Sequence, residues 1–79
     1  MNEILLIKLQ RGIEAKIISI SGGRFASKRL ADLGLTPGTK IKVLRRAPFF
    51  GPVEIEVRGS KLVLGRGLSA KILVKINEN

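Results

Sequence analysis

Seventy-nine residues make a single domain over positions 1–79, and a chain this short buries only about 60% of its unfolded surface, so its core is thin. There is no Cys and no His, which excludes disulfide staples, thiolate or imidazole metal ligands and the commonest nucleophilic and acid–base groups. Fifteen Lys and Arg against six Asp and Glu give a net charge of +9, a field that attracts nucleic acid, anionic lipid headgroups or acidic protein.

The first nine residues, Met1 to Leu9, read as an apolar extended arm. Its run Ile4-Leu5-Leu6-Ile7 is far shorter than the ~7–15 residues of a signal-peptide core or the ~18 of a membrane span. A cytoplasmic protein without membrane insertion is expected. Gly12 is the first punctuation, and Glu14 to Ile20 the first clear strand. Its alternation slips at Ile17-Ile18, which predicts a bend or a strand covered on both sides.

Ser21-Gly22-Gly23 opens a helix from about Arg24 to Leu33. Ser21 or a glycine can cap it, but Arg24 stands where a capping box wants Glu. Ala26, Leu30 and Leu33 fall at i, i+4 and i+7 and so share the buried face. Phe25 is expected at the edge of that face, with Arg24, Ser27 and Lys28 wet. Gly34 is the stop, because a left-handed residue closes a helix cheaply where there is no Cβ, and Leu35 folds back onto the last turn. Thr36-Pro37-Gly38 reads as a type II turn.

Lys40 to Leu44 is the second strand; Val53 to Val57 the third and cleanest, with Glu54 and Glu56 facing out. Between them Arg45-Arg46-Ala47 leads into Pro48-Phe49-Phe50-Gly51-Pro52, a turn bounded by prolines. Gly59-Ser60 turns into a fourth strand, Lys61 to Leu64. Gly65-Arg66-Gly67 is a tight turn, Leu68 to Lys71 one helical turn, and Ile72 to Ile76 a fifth strand. Short strands at near-regular spacing predict a mostly β domain: a small, closed or half-closed five-stranded barrel with one short α-helix plugging its end.

Little in this chain carries chemistry. Gly65-Arg66-Gly67 lacks the spacing and the Lys-Ser/Thr of a phosphate loop. Glu54 and Glu56 are carboxylates about 7 Å apart on one strand face, a poor ferrous site that reads instead as an outward face paired with Lys or Arg across the sheet. No enzyme, no cofactor and no tight metal site in the monomer are expected. Proline-rich peptides need aromatic walls, and there is no Trp or Tyr. Sequence-tolerant binding of single strands wants aromatic platforms along strands, so a basic nucleic-acid-binding barrel is the lesser alternative.

Phe49 and Phe50 stand out. Consecutive residues of an extended turn point apart, so at least one is exposed or docked on the barrel rim. One arrangement has one ring closing the barrel and the other on its surface. The other makes the pair a protein contact: an aromatic anchor ringed by Arg45 and Arg46 suits the centre of an interface. Arg24, Ser27 and Lys28 on the helix form a second candidate face. An exposed edge strand, or the arm at Ile4 to Ile7, could pair two copies.

Taken in order, Gly12, Ala15, Ile17, Gly22-Gly23, Leu30-x-x-Leu33-Gly34-Leu35-x-Pro37-Gly38, Ile41-x-Val43, Ala47-Pro48, Gly51-Pro52-Val53-x-Ile55-x-Val57-x-Gly59, Leu62-x-Leu64 and Ile72-x-Val74 resemble the FeoA family (ferrous iron transport protein A). The Leu-Gly-Leu-x-Pro-Gly signature, followed by the Gly-Pro strand, is the most specific part. The resemblance implies a small cytosolic SH3-like barrel that acts as a regulatory adaptor in bacterial ferrous iron uptake. Its partner would be the transporter FeoB, contacted at its cytosolic GTPase domain. Transition-metal binding follows only by analogy with the family. A similar fold serves as the C-terminal domain of iron-dependent repressors of the diphtheria-toxin type; this chain has no room for their other domains and looks like the free-standing form. Ser69 departs from the Ala frequent at that place in the family, and being nearly as small it is expected to leave the fold unchanged.

Overall fold

The cleanest alternation in the sequence, Val53-Glu54-Ile55-Glu56-Val57, forms the strand that organises half of the sheet. In the computed structural model, which describes residues 2–49 and 51–76, β4 (Val53–Val57) buries its three β-branched residues and leaves both glutamates half-exposed. It pairs antiparallel with β3 (Lys40–Arg46) on one side and β5 (Ser60–Leu64) on the other. Next to β3 lies β2 (Glu14–Ile20), then β6 (Ile72–Ile76), then β1 (Glu3–Leu5), all antiparallel, in the order β1-β6-β2-β3-β4-β5.

The extents of β2, β4 and β6 are those read from the sequence. Three points differ. Among the described residues there are six strands rather than five, because the N-terminal arm is not one extended piece: Glu3–Leu5 pairs with β6 and Leu6–Lys8 winds into a 3-10 turn. The sheet does not close by hydrogen bonding, since β1 and β5 are its two edges. Finally, β3 runs on to Arg46, and the one-turn helix α2 covers Arg66–Ser69 rather than Leu68 to Lys71. Met1, which the sequence reading includes in the arm, lies outside the described residues.

Two bulges bend the sheet. The β2–β6 register shifts between Ile17 and Ser19, where the alternation slips in the sequence. The β3–β4 register shifts between Val43 and Arg45. An extra residue in one strand increases local twist, and the curled sheet folds its inner face around one cluster. Ala15, Ile17, Ile41, Val43, Val53, Ile55, Leu64, Ile72 and Val74 come from five strands; Leu6 and Leu9 come from the N-terminal segment, and Leu30 and Leu35 from the helix and its stop. At roughly 1.5–3 kcal/mol for each fully buried aliphatic side chain, these residues carry the fold.

Helix α1 spans Gly23–Asp32, with Gly22 at its N-cap in the left-handed region and no side chain capping it. Ala26 and Leu30 are buried as expected. Leu33 is not: it is 42% exposed, because as the C-cap it has left helical geometry and the chain reverses at Gly34. The Leu35 N–H donates to the Leu30 carbonyl at 2.9 Å and the Gly34 N–H to the Ala31 carbonyl at 2.9 Å, with Gly34 at φ +85°. This is the paired hydrogen bonding of a Schellman stop, and it delivers Leu35, fully buried, to the core place expected for Leu33.

Phe25 is a second correction. It stands 78% exposed, since at about 100° per residue it lies roughly 100° round the helix from Ala26 and roughly 140° from Leu30. After the stop, Thr39 N–H donates to the Thr36 carbonyl at 3.0 Å with Gly38 at φ +96°, the expected type II turn. That turn is tied to β2 by Gly38 N–H to Ile17 O at 2.7 Å and Ile17 N–H to Thr39 O at 2.9 Å.

Candidate docking surface

The β3–β4 hairpin carries the side chains singled out above. Its ladder ends with Arg45 opposite Glu54 and Arg46 opposite Val53. Beyond it Ala47 N–H donates to the Pro52 carbonyl at 3.0 Å, and Gly51 N–H to the Pro48 carbonyl at 3.2 Å. A Cβ on Gly51 would come within 2.6 Å of the Ala47 Cβ, so the turn closes only around glycine.

At the tip, Phe49 has φ +57° and is 95% exposed. A bulky residue in the left-handed region is strained, and a phenyl ring in water gains nothing from burial. The turn therefore holds a large apolar side chain outward in a backbone state that glycine would occupy more easily. Phe50 lies outside the described residues.

The two arginines behind the tip differ in role. Arg45 reaches outward and approaches the half-buried Glu54 at 3.9 Å, a long contact, exposed on the arginine side and worth little. Arg46 donates from its guanidinium to the Leu9 carbonyl and so ties the hairpin to the N-terminal segment. Of the pair, Arg45 is exposed on the same hairpin as Phe49, and Arg46 ties that hairpin to the N-terminal segment. The surface offers apolar contact from Phe49 and hydrogen-bond donors from Arg45.

Arg24 and Lys28 lie on a different element, the exposed side of α1, where Lys28 Nζ meets Asp32 Oδ2 at 3.5 Å. Beside them Phe25, Lys28, Arg29 and Asp32 line a shallow cavity of about 240 Å³. Phe25 is the surface aromatic that the sequence reading missed; its position off the Ala26–Leu30 axis was the available signal.

The carboxylates behave as an outward face. Glu54 is opposed by Arg45, and Glu56 lies between Lys42 on β3 and Lys61 on β5. Among the described residues no three Asp or Glu side chains come together in a way that could hold a metal ion.

With this geometry in view, comparison with known proteins is decisive. The family model described as the FeoA domain matches residues 4–76. The chain belongs to the FeoA family. A protein of Methanocaldococcus jannaschii named Fe(2+) transport protein A is 39% identical over 66 residues, 84% of this chain and 78% of that one. The crystal structure of an iron uptake regulatory protein, FeoA, superposes with a TM-score of 0.88 at 33% identity, covering 95% of this chain and 99% of the other. A manganese-dependent transcriptional repressor in complex with manganese gives a TM-score of 0.88 at 20% identity, over 98% of this chain and 38% of that one. The last likeness shows the fold alone. The SH3-like architecture of FeoA proteins is thus the architecture here, with the Gly34–Gly38 signature forming the helix stop and the turn that follows it. Among the described residues no helix is long and apolar enough to cross a membrane.

Proposed function

We propose that this chain is an accessory, regulatory module of ferrous iron uptake that works by protein contact, and that its partner is the cytosolic GTPase domain of an FeoB-type transporter. The names of its relatives, an Fe(2+) transport protein A and an iron uptake regulatory protein, support the process. The observation that carries the mode of action is Phe49: an exposed aromatic side chain held on a left-handed backbone. Strain of this kind persists where surrounding structure enforces it, and it clusters at ligand clamps and switch regions. Aromatic residues, Phe included, and Arg are also enriched at protein interfaces.

The module would shift the transporter only by binding one of its states better than another. The test is equilibrium binding of the purified chain to the isolated cytosolic GTPase domain. Phe49→Ala and Phe50→Ala should each weaken binding at least tenfold while the circular dichroism spectrum stays unchanged. Parental affinity in both variants would remove the hairpin from the interface. No binding by the parent chain would remove the partner.

A further inference from the structure

The outer face of the sheet carries two neighbouring cross-strand rows of opposite character. In one, Glu14 on β2, Lys42 on β3, Glu56 on β4 and Lys61 on β5 stand opposite one another in sequence, so the charges alternate. In the other, Lys40 on β3 faces Lys16 on β2, and Lys16 faces Lys75 on β6. The rows share a face because Lys16 is two residues from Glu14 and Lys40 two from Lys42. Glu3, opposite Lys75 on β1, ends the lysine row.

All three lysines are exposed, and among the described residues none of their side chains makes an ion pair or a hydrogen bond. Like charges directly opposite on adjacent strands are destabilising. Adjacent strands lie about 4.8 Å apart, so three ammonium stems rise from a line about 10 Å long. One row alternates in sign throughout, whereas the next sets three lysines side by side and meets an acidic residue, Glu3, only at its β1 end.

We infer that Lys16, Lys40 and Lys75 form a binding site for a linear oligophosphate, a short chain of condensed phosphoryl groups. Lysine meets phosphate as a compact point charge with three rotatable donors. Three such groups in line match a ligand whose negative charges are likewise closely spaced and in line. Two features favour a small anion over larger ones. The outward positions on the other side of the lysine row are Leu5, Leu73 and Ser19, which give nucleic-acid bases no aromatic ring to stack on. Glu14 and Glu56, in the adjacent row, would be pressed against any broad anionic membrane surface.

The test is a titration with inorganic tripolyphosphate at about 0.1 M salt, where screening suppresses long-range attraction, followed by amide NMR. The site requires saturable binding with shifts centred on residues 16, 40 and 75. Lys16→Gln should weaken it about tenfold and, in the absence of ligand, raise the melting temperature, because the central like charge is gone. Lys40→Gln and Lys75→Gln should each weaken it severalfold. Lys61→Gln and Lys28→Gln remove the same charge elsewhere and should leave affinity within twofold. Equal losses in these controls, or no saturation, would overturn the site. So would tighter binding of a single-stranded oligonucleotide or of anionic vesicles than of tripolyphosphate at equal salt.

Discussion

Two reversals of this chain each use left-handed backbone, and they use it for opposite ends. From Leu33 to Thr39 the left-handed positions are Gly34 and Gly38, the hydrogen bonds of the helix stop close on themselves, and Leu35 disappears into the core. Among the described residues from Ala47 to Pro52 the left-handed one is Phe49, whose side chain goes to water. One turn is built to be stable. The other gives up stability at one residue, and the natural product of that sacrifice is an aromatic ring on display. The contrast separates residues that make the fold from a residue that the fold presents.

Substitutions can break this contrast or sharpen it. The largest effect is expected at the buried side. Leu35→Ala removes a fully buried side chain and should lower unfolding free energy by about 2–5 kcal/mol, measured by chemical denaturation. Next comes Gly34→Ala, which forces an L side chain into the left-handed region beside the Arg58 guanidinium at 3.2 Å; a loss of about 1–2 kcal/mol is expected. At the hairpin the sign should reverse. Phe49→Gly relieves roughly 1–3 kcal/mol of backbone strain against about 0.5–1 kcal/mol of added chain entropy in the unfolded state. It should therefore hold or raise the melting temperature while partner binding falls at least tenfold. A destabilised Phe49→Gly variant would show that the ring supports the fold and would collapse the distinction. The smallest effect belongs to Lys28→Ala: its pair with Asp32 is solvent-exposed on both sides, and stability should change by less than about 0.5 kcal/mol.

What the sequence shows most clearly is what local rules control. The slip at Ile17-Ile18 announces an irregularity, read as a bend or a doubly covered strand and found to be a register shift, because alternation is a property of a few consecutive residues. Leu-Gly-Leu-x-Pro-Gly announces a stop and a turn because each needs a particular φ at a particular position. What it hides is set by distant pairing. Glu3–Leu5 becomes a strand only because Leu73–Lys75 lies beside it, and no alternation within Ile4 to Ile7 signals that. Arg45 and Arg46 extend β3 because a bulge realigns them with Glu54 and Val53. The lysine row is invisible in one dimension, since Lys16, Lys40 and Lys75 meet only through register. On the β3–β4 hairpin, residue types pointed to an exposed aromatic ring, but only the backbone shows that Phe49 is held there under strain, and only the fold turns Arg46 away toward Leu9.

The place of β6 in the sheet has a consequence for synthesis. The last of the described strands lies between β1 and β2, the first two. During translation the meander β3–β4–β5 can assemble from neighbouring segments, yet the free edge of β2 has no partner until residues 72–76 leave the ribosome. Loop closure over so long a span is slow relative to local pairing, and an unpaired edge is where nascent chains associate wrongly. Residues 72–76 thus decide when the sheet can finish folding, and a chain stalled or truncated before them is expected to be a substrate for chaperones or proteases rather than a smaller working protein.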